Sequence, residues 1–385
     1  MSPRACVMTS AHPAFDVRIF HKECKSLAAA GYDVTLIAPH PESQNVHGVA
    51  IEAVPQHLPR FQRMFKATWA IYKAARKVDA DIYHFHDPEL IPAGLLLRLL
   101  GKKVIYDAHE DLPRTLAYKP YIPSWLQSSL ERLVEFCELS ASRHLSGLVA
   151  ATPEIAARFH RHNPHTCIVQ NYPLLEEFSE ATTDATRKGG HIAYVGARIT
   201  EARGAREMIR ALEFLEDLPE ARLKLAGSID SADLLSELSS MPGWKRTDYL
   251  GPIGRKAVSD LIGGAVVGLV VLHPETNYVN SHPVKLFEYM CAGIPVIASD
   301  FPVFRSIING ARCGLLVNPL DPREIAEAIR YISAHPAEAR HMGESGRQAV
   351  RLRYNWKNEE RKLLKLYSQV LGTTILRSPL GVQNA

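Results

Sequence analysis

The sequence predicts an α/β protein made of two domains, each built on a parallel β-sheet. In both halves of the chain, short apolar runs typical of buried strands alternate with amphipathic helical stretches. Strand–helix–strand units of this kind place successive strands parallel in one sheet. A chain of 385 residues is also too long for one comfortable hydrophobic core and suits two domains.

Composition narrows the class of protein. Apolar residues make up 46% and charged residues 22% of the chain, as in a soluble enzyme, and a net charge of +4 gives no argument for nucleic acid. The six cysteines lack any C-x-x-C pair, which favours reduced thiols. With no signal-peptide pattern and no apolar run of membrane-spanning length, we expect a cytoplasmic protein, with peripheral contact at the inner face of the cell membrane left open.

The first predicted unit carries polar residues in the loop after its first strand. We predict a strand at 5–9, a helix at 18–30 and a second strand at 33–38. Loops at the carboxyl ends of parallel strands hold the binding sites of such folds. In this loop, Asp16 and Arg18 either contact a ligand or form an ion pair that closes the loop.

Two further predicted strands end in histidines and acids. The strand at 81–85 leads into H-F-H-D-P, where alternation puts His84 and His86 on one side and permits a metal interpretation. No third ligand follows at a convincing spacing, so we favour a polar loop or pocket. The strand at 103–106 leads into D-A-H-E-D, whose side chains either line a site or cap the strand end and lie on the surface.

Residues 60–78 form a predicted helix that has six basic residues, no acid and four interleaved aromatic residues. Such a helix can lie on an anionic membrane surface, or it can pack on the core with a solvated basic face. Both interpretations stay open. The basic residues are Arg60, Arg63, Lys66, Lys73, Arg76 and Lys77.

A proline and a glycine delimit the most informative helix of the chain. Pro283 suits a first helical turn, because the amide that proline lacks has no intrahelical partner there. Gly293 fits the left-handed position that ends a helix, and the next proline prevents continuation. We therefore predict a helix at 284–292 and a buried strand at 295–298.

This helix has the residues that a phosphorylated nucleotide requires. Its N-terminal amides and Lys285 would hold phosphate, and Glu288, one turn later, would accept hydrogen bonds from ribose hydroxyls. The alternative is an ordinary amphipathic helix with an exposed Lys/Glu pair. The pattern alone does not separate these two interpretations.

The segment H-P-V-K-L-F-E-Y-M-C-A-G-I-P-V-I-A-S-D resembles the donor-site signature of the retaining glycosyltransferases of family 4. The resemblance implies the GT-B fold, with two Rossmann-like domains facing across a cleft. It also implies transfer of a sugar from a nucleotide diphosphate to an acceptor hydroxyl without a metal. Retention would follow from front-face attack, in which the leaving phosphate takes the proton of the acceptor.

Site residues follow from the same resemblance. In G-A-R-I-T-E-A-R-G, alignment on Gly204 favours Arg203 as the phosphate ligand and alignment on Gly196 favours Arg198, so both are kept. The catalytic residues implied are His109, Arg203, Lys285 and Glu288. The donor-binding residues implied are Gly196, Arg198, Arg203, Gly251, Ile253, Asn280, Pro283, Val284, Lys285 and Glu288. The residues implied on the acceptor side are Asp16, Arg18, Glu110 and Asp111.

The chain departs from the family signature at one position. The signature has two glutamates; Glu288 matches the second, and Asn280 stands where the first would be. An amide can bond sugar hydroxyls but carries no charge, so the donor sugar stays open. Two rival functions remain: a sugar-nucleotide epimerase or hydrolase on the same fold, and a catalytically silent sugar-nucleotide-binding module of a glycan assembly complex.

The resemblance also suggests boundaries and partners. We predict an N-terminal domain at 1–172 on which a helix at 356–372 packs back, a linker at 173–190, a C-terminal domain at 191–355 and a tail at 373–385. A UDP-sugar is favoured over a GDP-sugar as donor, with no cofactor. The expected acceptor is a glycan or lipid-linked molecule of cell-envelope or exopolysaccharide biosynthesis.

Overall fold

The computed structural model describes residues 2–55, 66–117, 122–178 and 190–373. Contacts divide the chain into unit 1, Met1–Asn171 with Lys357–Ala385, and unit 2, Tyr172–Trp356. Each unit contains a parallel sheet flanked by helices, which confirms the predicted fold class. Three predicted features lie wholly or largely outside the described residues: the first part of the basic helix (60–65), most of the linker (179–189) and the tail from 374.

Unit 1 holds an eight-stranded sheet in the order β3-β4-β2-β1-β5-β6-β7-β8. All neighbours pair in parallel except β3 and β4. The central β1 reads as a continuous apolar run because both of its faces are covered by helices. The strands are β1 (Arg4–Met8), β2 (Asp33–Pro39), β3 (Gln44–Val46), β4 (Val49–Val54), β5 (Ile82–Phe85), β6 (Lys103–Ala108), β7 (Gly147–Ala150) and β8 (Thr166–Ile168).

The helices of unit 1 cover both faces of this sheet. The first one is π-helical over Val17–Cys24 and α-helical over Lys25–Ala29. It begins where the Asp16 carboxylate accepts the amides of Arg18 and Ile19, and Gly31 follows its end with φ of 93°. The others are Thr68–Val78, Ile91–Leu99, Leu112–Ala117, Ser124–Ser142, Pro153–His160 and Trp356–Leu371.

The hairpin formed by β3 and β4 was not predicted from the sequence. Its signal is the turn at His47 and Gly48, whose φ angles of 51° and 78° suit a tight two-residue hairpin connection. The alternating V-A-I-E-A-V that follows fits a strand with one buried face.

Unit 2 holds a six-stranded parallel sheet in the order β11-β10-β9-β12-β13-β14. The strands are β9 (His191–Ile199), β10 (Leu223–Ile229), β11 (Thr247–Gly251), β12 (Ala265–Val270), β13 (Val296–Ser299) and β14 (Gly314–Val317). The α-helices are Ala205–Glu213, Ala232–Ser240, Arg255–Gly263, Thr276–Val279, Val284–Ala292, Pro302–Ala311, Pro322–Ala334 and Pro336–Leu352.

Each sheet reverses its strand order at one point, between β1 and β5 in unit 1 and between β9 and β12 in unit 2. In sheets of this kind, ligands bind outside the carboxyl ends of the strands at such a switch point. The segments that follow these four strands contain Asp16, His86, Arg203 and Asn280. Within the described ranges, no helix combines the length and the apolar character that a bilayer crossing requires.

Candidate active site

Helix Val284–Ala292 carries the strongest motif, and the structure confirms its bounds. Pro283 is its N-cap, one position before the predicted first turn, and Gly293 ends it with φ of 72°. All side chains after Val284 are buried; Lys285 is 9% exposed and Glu288 4%. The interpretation as an amphipathic helix with an exposed Lys/Glu pair is therefore wrong.

The Lys285 ammonium has no hydrogen-bond partner among the described residues. Its Nζ lies 3.5 Å from the centroid of the Tyr194 ring, in a cation–π contact. A Cβ at Gly196 would lie 3.2 Å from this Nζ, so the glycine keeps the space open. Burial lowers the pKa of Lys285 well below its usual value, Arg203 lowers it further, and Glu288 opposes both. The helix therefore begins with a buried cation that no hydrogen-bonded anion balances.

Arg198 and Arg203, the two candidate phosphate ligands, have different surroundings in the structure. Arg203 follows β9, and its Nε donates to the Tyr278 hydroxyl at 3.3 Å. Its Nη1 donates to the carbonyl of Arg198 at 3.2 Å, and its charge acts on Lys285. Arg198 lies within β9, and its exposed side chain pairs with Asp230. Only Arg203 thus belongs to the surroundings of Lys285.

The carboxylate of Glu288 is held by an arginine. Arg255 donates from Nη1 to Glu288 Oε1 at 2.7 Å, and its Nη2 contacts Glu177. Burial lowers the pKa of Arg255, but the two carboxylates outweigh it and raise the pKa overall. One oxygen of Glu288 is therefore committed within unit 2, which leaves Oε2 for a ligand.

The remaining donor candidates lie around the same edge of the sheet. Gly251 ends β11 with φ of 65°, and Ile253 packs against the core of unit 2. Asn280 is exposed at the end of the short helix Thr276–Val279. The loops after β9 and β12 meet where the His273 amide donates to the Ala202 carbonyl at 2.9 Å.

In unit 1, His12 and Asp87 join the loops after β1 and β5. His12 Nδ1 lies 3.1 Å from Asp87 Oδ1. Asp87 Oδ2 accepts from the Thr9 hydroxyl at 2.7 Å and the Ser10 amide at 2.6 Å. Burial would raise the pKa of Asp87, but these donors hold it well below its usual value. Burial would lower the pKa of His12, and the contact with Asp87 raises it instead.

Arg18 is placed in the core rather than at a binding surface. Its Nη2 donates to Asp107 Oδ2 at 2.8 Å, its Nε lies 2.9 Å from Glu23 Oε1, and its Nη1 donates to the Val169 carbonyl at 2.9 Å. The side chain is 5% exposed. Asp16 contacts Arg18 through the backbone amide, as the cap of the first helix, and not through a loop-closing ion pair.

His109 stands at the end of β6 beside two other imidazoles. Its Nε2 lies 3.1 Å from His86 Nδ1 and 3.4 Å from Asp107 Oδ2, and its ring centroid is 5.4 Å from that of His12. The ring is one-fifth exposed. Glu110 is exposed, whereas Asp111 pairs with Arg158 at 3.3 Å.

The described part of the basic segment is the helix Thr68–Val78. Ile71, Tyr72 and Ala75 face the core. The opposite face exposes Trp69, Arg76 and Lys77. This part of the helix therefore both packs on the core and presents a basic aromatic face.

Sequence reasoning missed the residues that complete these sites through long-range contacts: Tyr194, Arg255, Tyr278 and Glu23. Each lies in a segment whose pattern predicts only a strand, a helix or a turn. Asp87, by contrast, belongs to the H-F-H-D-P motif that the sequence singled out, directly after the two histidines.

Comparison with solved structures defines the class of protein. The chain resembles sucrose-phosphate synthase from Thermosynechococcus elongatus with a TM-score of 0.75 and 19% identity, over 96% of this chain and 99% of that one. It resembles Anabaena Alr3699/HepE, solved in complex with UDP-glucose, with a TM-score of 0.70 and 11% identity, over 95% and 99% of the two chains. The two α/β units therefore form a GT-B fold.

Sequence comparison gives the family. The family model described as glycosyl transferases group 1 matches residues 180–349, and that of glycosyltransferase family 4 matches residues 17–171. The chain is 22% identical over 306 residues to phosphatidyl-myo-inositol mannosyltransferase of Mycobacterium tuberculosis, covering 77% of this chain and 75% of that protein. The protein belongs to the family 4 glycosyltransferases, and it is a transferase.

Proposed function

We propose that this protein is a retaining glycosyltransferase that moves a sugar from a nucleotide diphosphate sugar to a hydroxyl group. The observation that carries the proposal is the buried Lys285 ammonium, which acts with Arg203 at the start of a helix. A buried cation without an anion is costly, and the amides of a helix N-terminus also favour an anion. A diphosphate supplies the missing negative charge.

The reaction follows from where these charges lie. The bond from the anomeric carbon to the diphosphate oxygen breaks, and a bond from the same carbon to the acceptor oxygen forms on the same face. The diphosphate leaves with the electron pair and takes the proton of the acceptor. Lys285, Arg203 and the amides at Val284 stabilise the leaving charge, each such donor being worth about 3 kcal/mol. In this proposal these fixed charges stabilise the leaving diphosphate without a metal.

The neighbouring residues recognise the rest of the donor. Glu288 Oε2 accepts from the ribose hydroxyls, while Arg255 fixes the carboxylate through Oε1. The backbone at Gly251 and Ile253 flanks the base, and Asn280 bonds a hydroxyl of the sugar. A uracil base is favoured because Alr3699/HepE was solved with UDP-glucose on a similar fold. The phosphatidyl-myo-inositol mannosyltransferase relative supports a lipid-linked acceptor, in cell-envelope or exopolysaccharide assembly.

On the acceptor side we retain His109, Glu110 and Asp111, with His109 as the residue that orients the transferred sugar. Arg18 is removed from this group, since its guanidinium is committed to Asp107 and Glu23. Asp16 is removed as well, because it caps the first helix.

A thermal-shift panel tests the proposal. UDP is expected to raise the unfolding temperature more than GDP or ADP. A ligand at about 100 times its dissociation constant adds about 2.7 kcal/mol to the free energy of unfolding, which is readily measured. A larger rise in unfolding temperature with GDP than with UDP would mean that the donor base is guanine and not uracil. No response to any of the three would contradict a nucleotide site at Lys285 and favour the silent-module alternative.

Peripheral membrane contact is the second part of the proposal. It is supported by the exposed Trp69, Arg76 and Lys77 and by the exposed Trp125 and Phe136 of another unit 1 helix. Each juxtamembrane cation contributes about 1 kcal/mol on an anionic surface. We therefore expect the double change Arg76→Gln, Lys77→Gln to weaken binding to phosphatidylserine vesicles by about tenfold to thirtyfold.

The matched control neutralises two exposed lysines of unit 2, Lys245 and Lys256. Co-sedimentation with vesicles is measured for the native chain and both double variants. Equal sedimentation of the Arg76/Lys77 variant and the native chain would remove the helix from the membrane proposal.

A further inference from the structure

Four ionisable side chains meet in the core of unit 1. Glu23 comes from the first helix, His84 and His86 from β5 and the residue after it, and Asp107 from β6. None of the four is more than 2% exposed. One nitrogen or oxygen atom from each lies within 4.8 Å of those from the other three. We call these four residues the Glu23 cluster.

Several atoms of the Glu23 cluster lack a hydrogen bond within the described part of the chain. They are Nε2 of His84, Nε2 of His86 and Oε2 of Glu23, whereas Oε1 of Glu23 forms an ion pair with Arg18 Nε at 2.9 Å. Buried polar atoms are almost always paired, and a set of unpaired ones at one point indicates a missing water or ion. The unpaired atoms here are two imidazole nitrogens and one carboxylate oxygen, which are common metal ligands.

The spacing of these atoms suits a tetrahedral metal ion. With metal–ligand bonds of about 2.1 Å, the ligands of such an ion lie roughly 3.4 Å apart. His86 Nε2 lies 3.6 Å from Glu23 Oε2, and His84 Nε2 lies 3.9 Å from Asp107 Oδ2. Alternation along β5 keeps the two imidazoles on one side, with ring centroids 4.7 Å apart. Small side-chain rotations would close these distances onto one ion.

Outer contacts hold the ligands in the orientation that metal binding requires. His84 Nδ1 lies 3.0 Å from the Tyr367 hydroxyl, and His86 Nδ1 lies 3.1 Å from His109 Nε2. In both rings Nδ1 has this outer contact, and it also lies near a carboxylate of the cluster, at 3.5 Å from Asp107 Oδ2 for His86 and 3.9 Å from Glu23 Oε2 for His84; Nε2 is the nitrogen without a hydrogen bond. Asp107 is held by Arg18 through two nitrogens. Histidine and carboxylate ligands of metals are fixed by such outer partners.

Charge is the main objection, since Arg18 lies beside both carboxylates. Its single positive charge balances one of them, so an ionised cluster with neutral imidazoles keeps one negative charge. Binding of a divalent ion changes the net charge of the cluster and Arg18 from −1 to +1. The magnitude of the buried net charge therefore stays the same. The mixed nitrogen and oxygen ligands favour a first-row transition metal over Mg²⁺ or Ca²⁺, which prefer oxygen alone.

We propose that Glu23, His84, His86 and Asp107 bind a divalent transition-metal ion, with Zn²⁺ as the best match, in the core of unit 1. The ion links the first helix to β5 and β6. Its proposed role is structural, as a link between elements of unit 1. The competing explanation is a proton shared between Glu23 and Asp107.

The full chain, loaded with Zn²⁺ and dialysed, is analysed for metal by mass spectrometry, and its unfolding temperature is measured with and without a chelator. We expect about one ion per chain and a lower unfolding temperature after chelation. The Co²⁺-loaded chain is expected to show the visible absorption of a tetrahedral site. No bound metal and no effect of Zn²⁺ or chelator on unfolding would overturn the proposal in favour of the shared proton.

Variants locate the ion. Glu23→Gln and His86→Gln are expected to lose the metal, whereas the exposed matched changes Glu154→Gln and His160→Gln retain it. Tyr367→Phe removes only the outer contact to His84 and conserves the packing, so it stays informative if the ligand variants fail to fold. It should weaken Zn²⁺ affinity by about tenfold to a hundredfold. Unchanged affinity in Tyr367→Phe and unchanged metal content in His86→Gln would overturn the assignment.

Discussion

Replacing Lys285 by methionine is expected to abolish nucleotide binding and, at the same time, to stabilise the free protein. The ammonium is buried without a hydrogen-bond partner among the described residues, so its removal relieves a desolvation cost of about 1–3 kcal/mol. Methionine fills a similar volume against Tyr194. Turnover should fall by a hundredfold or more, because a charge that stabilises the leaving diphosphate is lost.

Thermal unfolding with and without UDP measures both effects of Lys285→Met. The control is Lys256→Met on the surface of the same unit, which should keep the response to UDP and gain no stability. If Lys285→Met were less stable than the native chain and still responded to UDP, the lysine would be a packing residue and the phosphate assignment would fail.

The lowered pKa of Lys285 also gives the binding reaction a pH dependence. As pH rises through this lowered pKa, the free site loses its proton, while the diphosphate binds the charged form. UDP affinity should therefore fall as pH rises through this lowered pKa, and UDP binding should be accompanied by proton uptake at Lys285. The free energy of unfolding of the free protein depends on pH in the opposite direction. Between the lowered pKa and about 10.4 the unfolded chain binds more protons, so the free energy of unfolding rises with pH.

Arg203→Met and Arg198→Met are expected to differ by about a hundredfold in turnover. Arg203 acts on Lys285 and is oriented by the Tyr278 hydroxyl, so its loss removes a second charge from the diphosphate. Arg198 is exposed and paired with Asp230, and an exposed pair contributes little. Its loss should leave turnover within about threefold of the native value.

The rate of sugar-nucleotide hydrolysis is a suitable measure for both variants, because it requires no acceptor. Arg203→Lys adds a further control: it keeps the charge but not the planar fork, and it should recover part of the rate. Equal losses in Arg203→Met and Arg198→Met would mean that both arginines reach the diphosphate.

Local chemistry explains which parts of this fold were predictable. Helix Val284–Ala292 could be delimited to the residue, because proline favours the start of a helix and glycine readily adopts the left-handed conformation that ends one. The strands of the inner sheet could be recognised because burial on both faces makes them continuous apolar runs. The family resemblance then supplied the lysine and glutamate of the donor site.

Contacts between distant segments explain what could not be predicted. The burial of Lys285 against Tyr194 depends on the packing of a helix on β9, across ninety-one positions of the chain. Arg18 was predicted at a binding surface, yet it faces Asp107 in the core because the first helix packs on the sheet. The sequence around His84 and His86 shows no third metal ligand at a suitable spacing. The proposed ligand Glu23 precedes these histidines by about sixty residues and approaches them only in the fold.

The contribution of Lys357–Ala385 to unit 1 affects the order in which the chain can be completed on the ribosome. Tyr367 lies against both Tyr32 and His84. The core of unit 1 therefore includes a helix that is synthesised after all of unit 2. Until that helix is synthesised, Nδ1 of His84 in β5 lacks its contact with the Tyr367 hydroxyl. The unit whose strands are made first is therefore the last to be finished, and a chain truncated before residue 357 leaves an incomplete core.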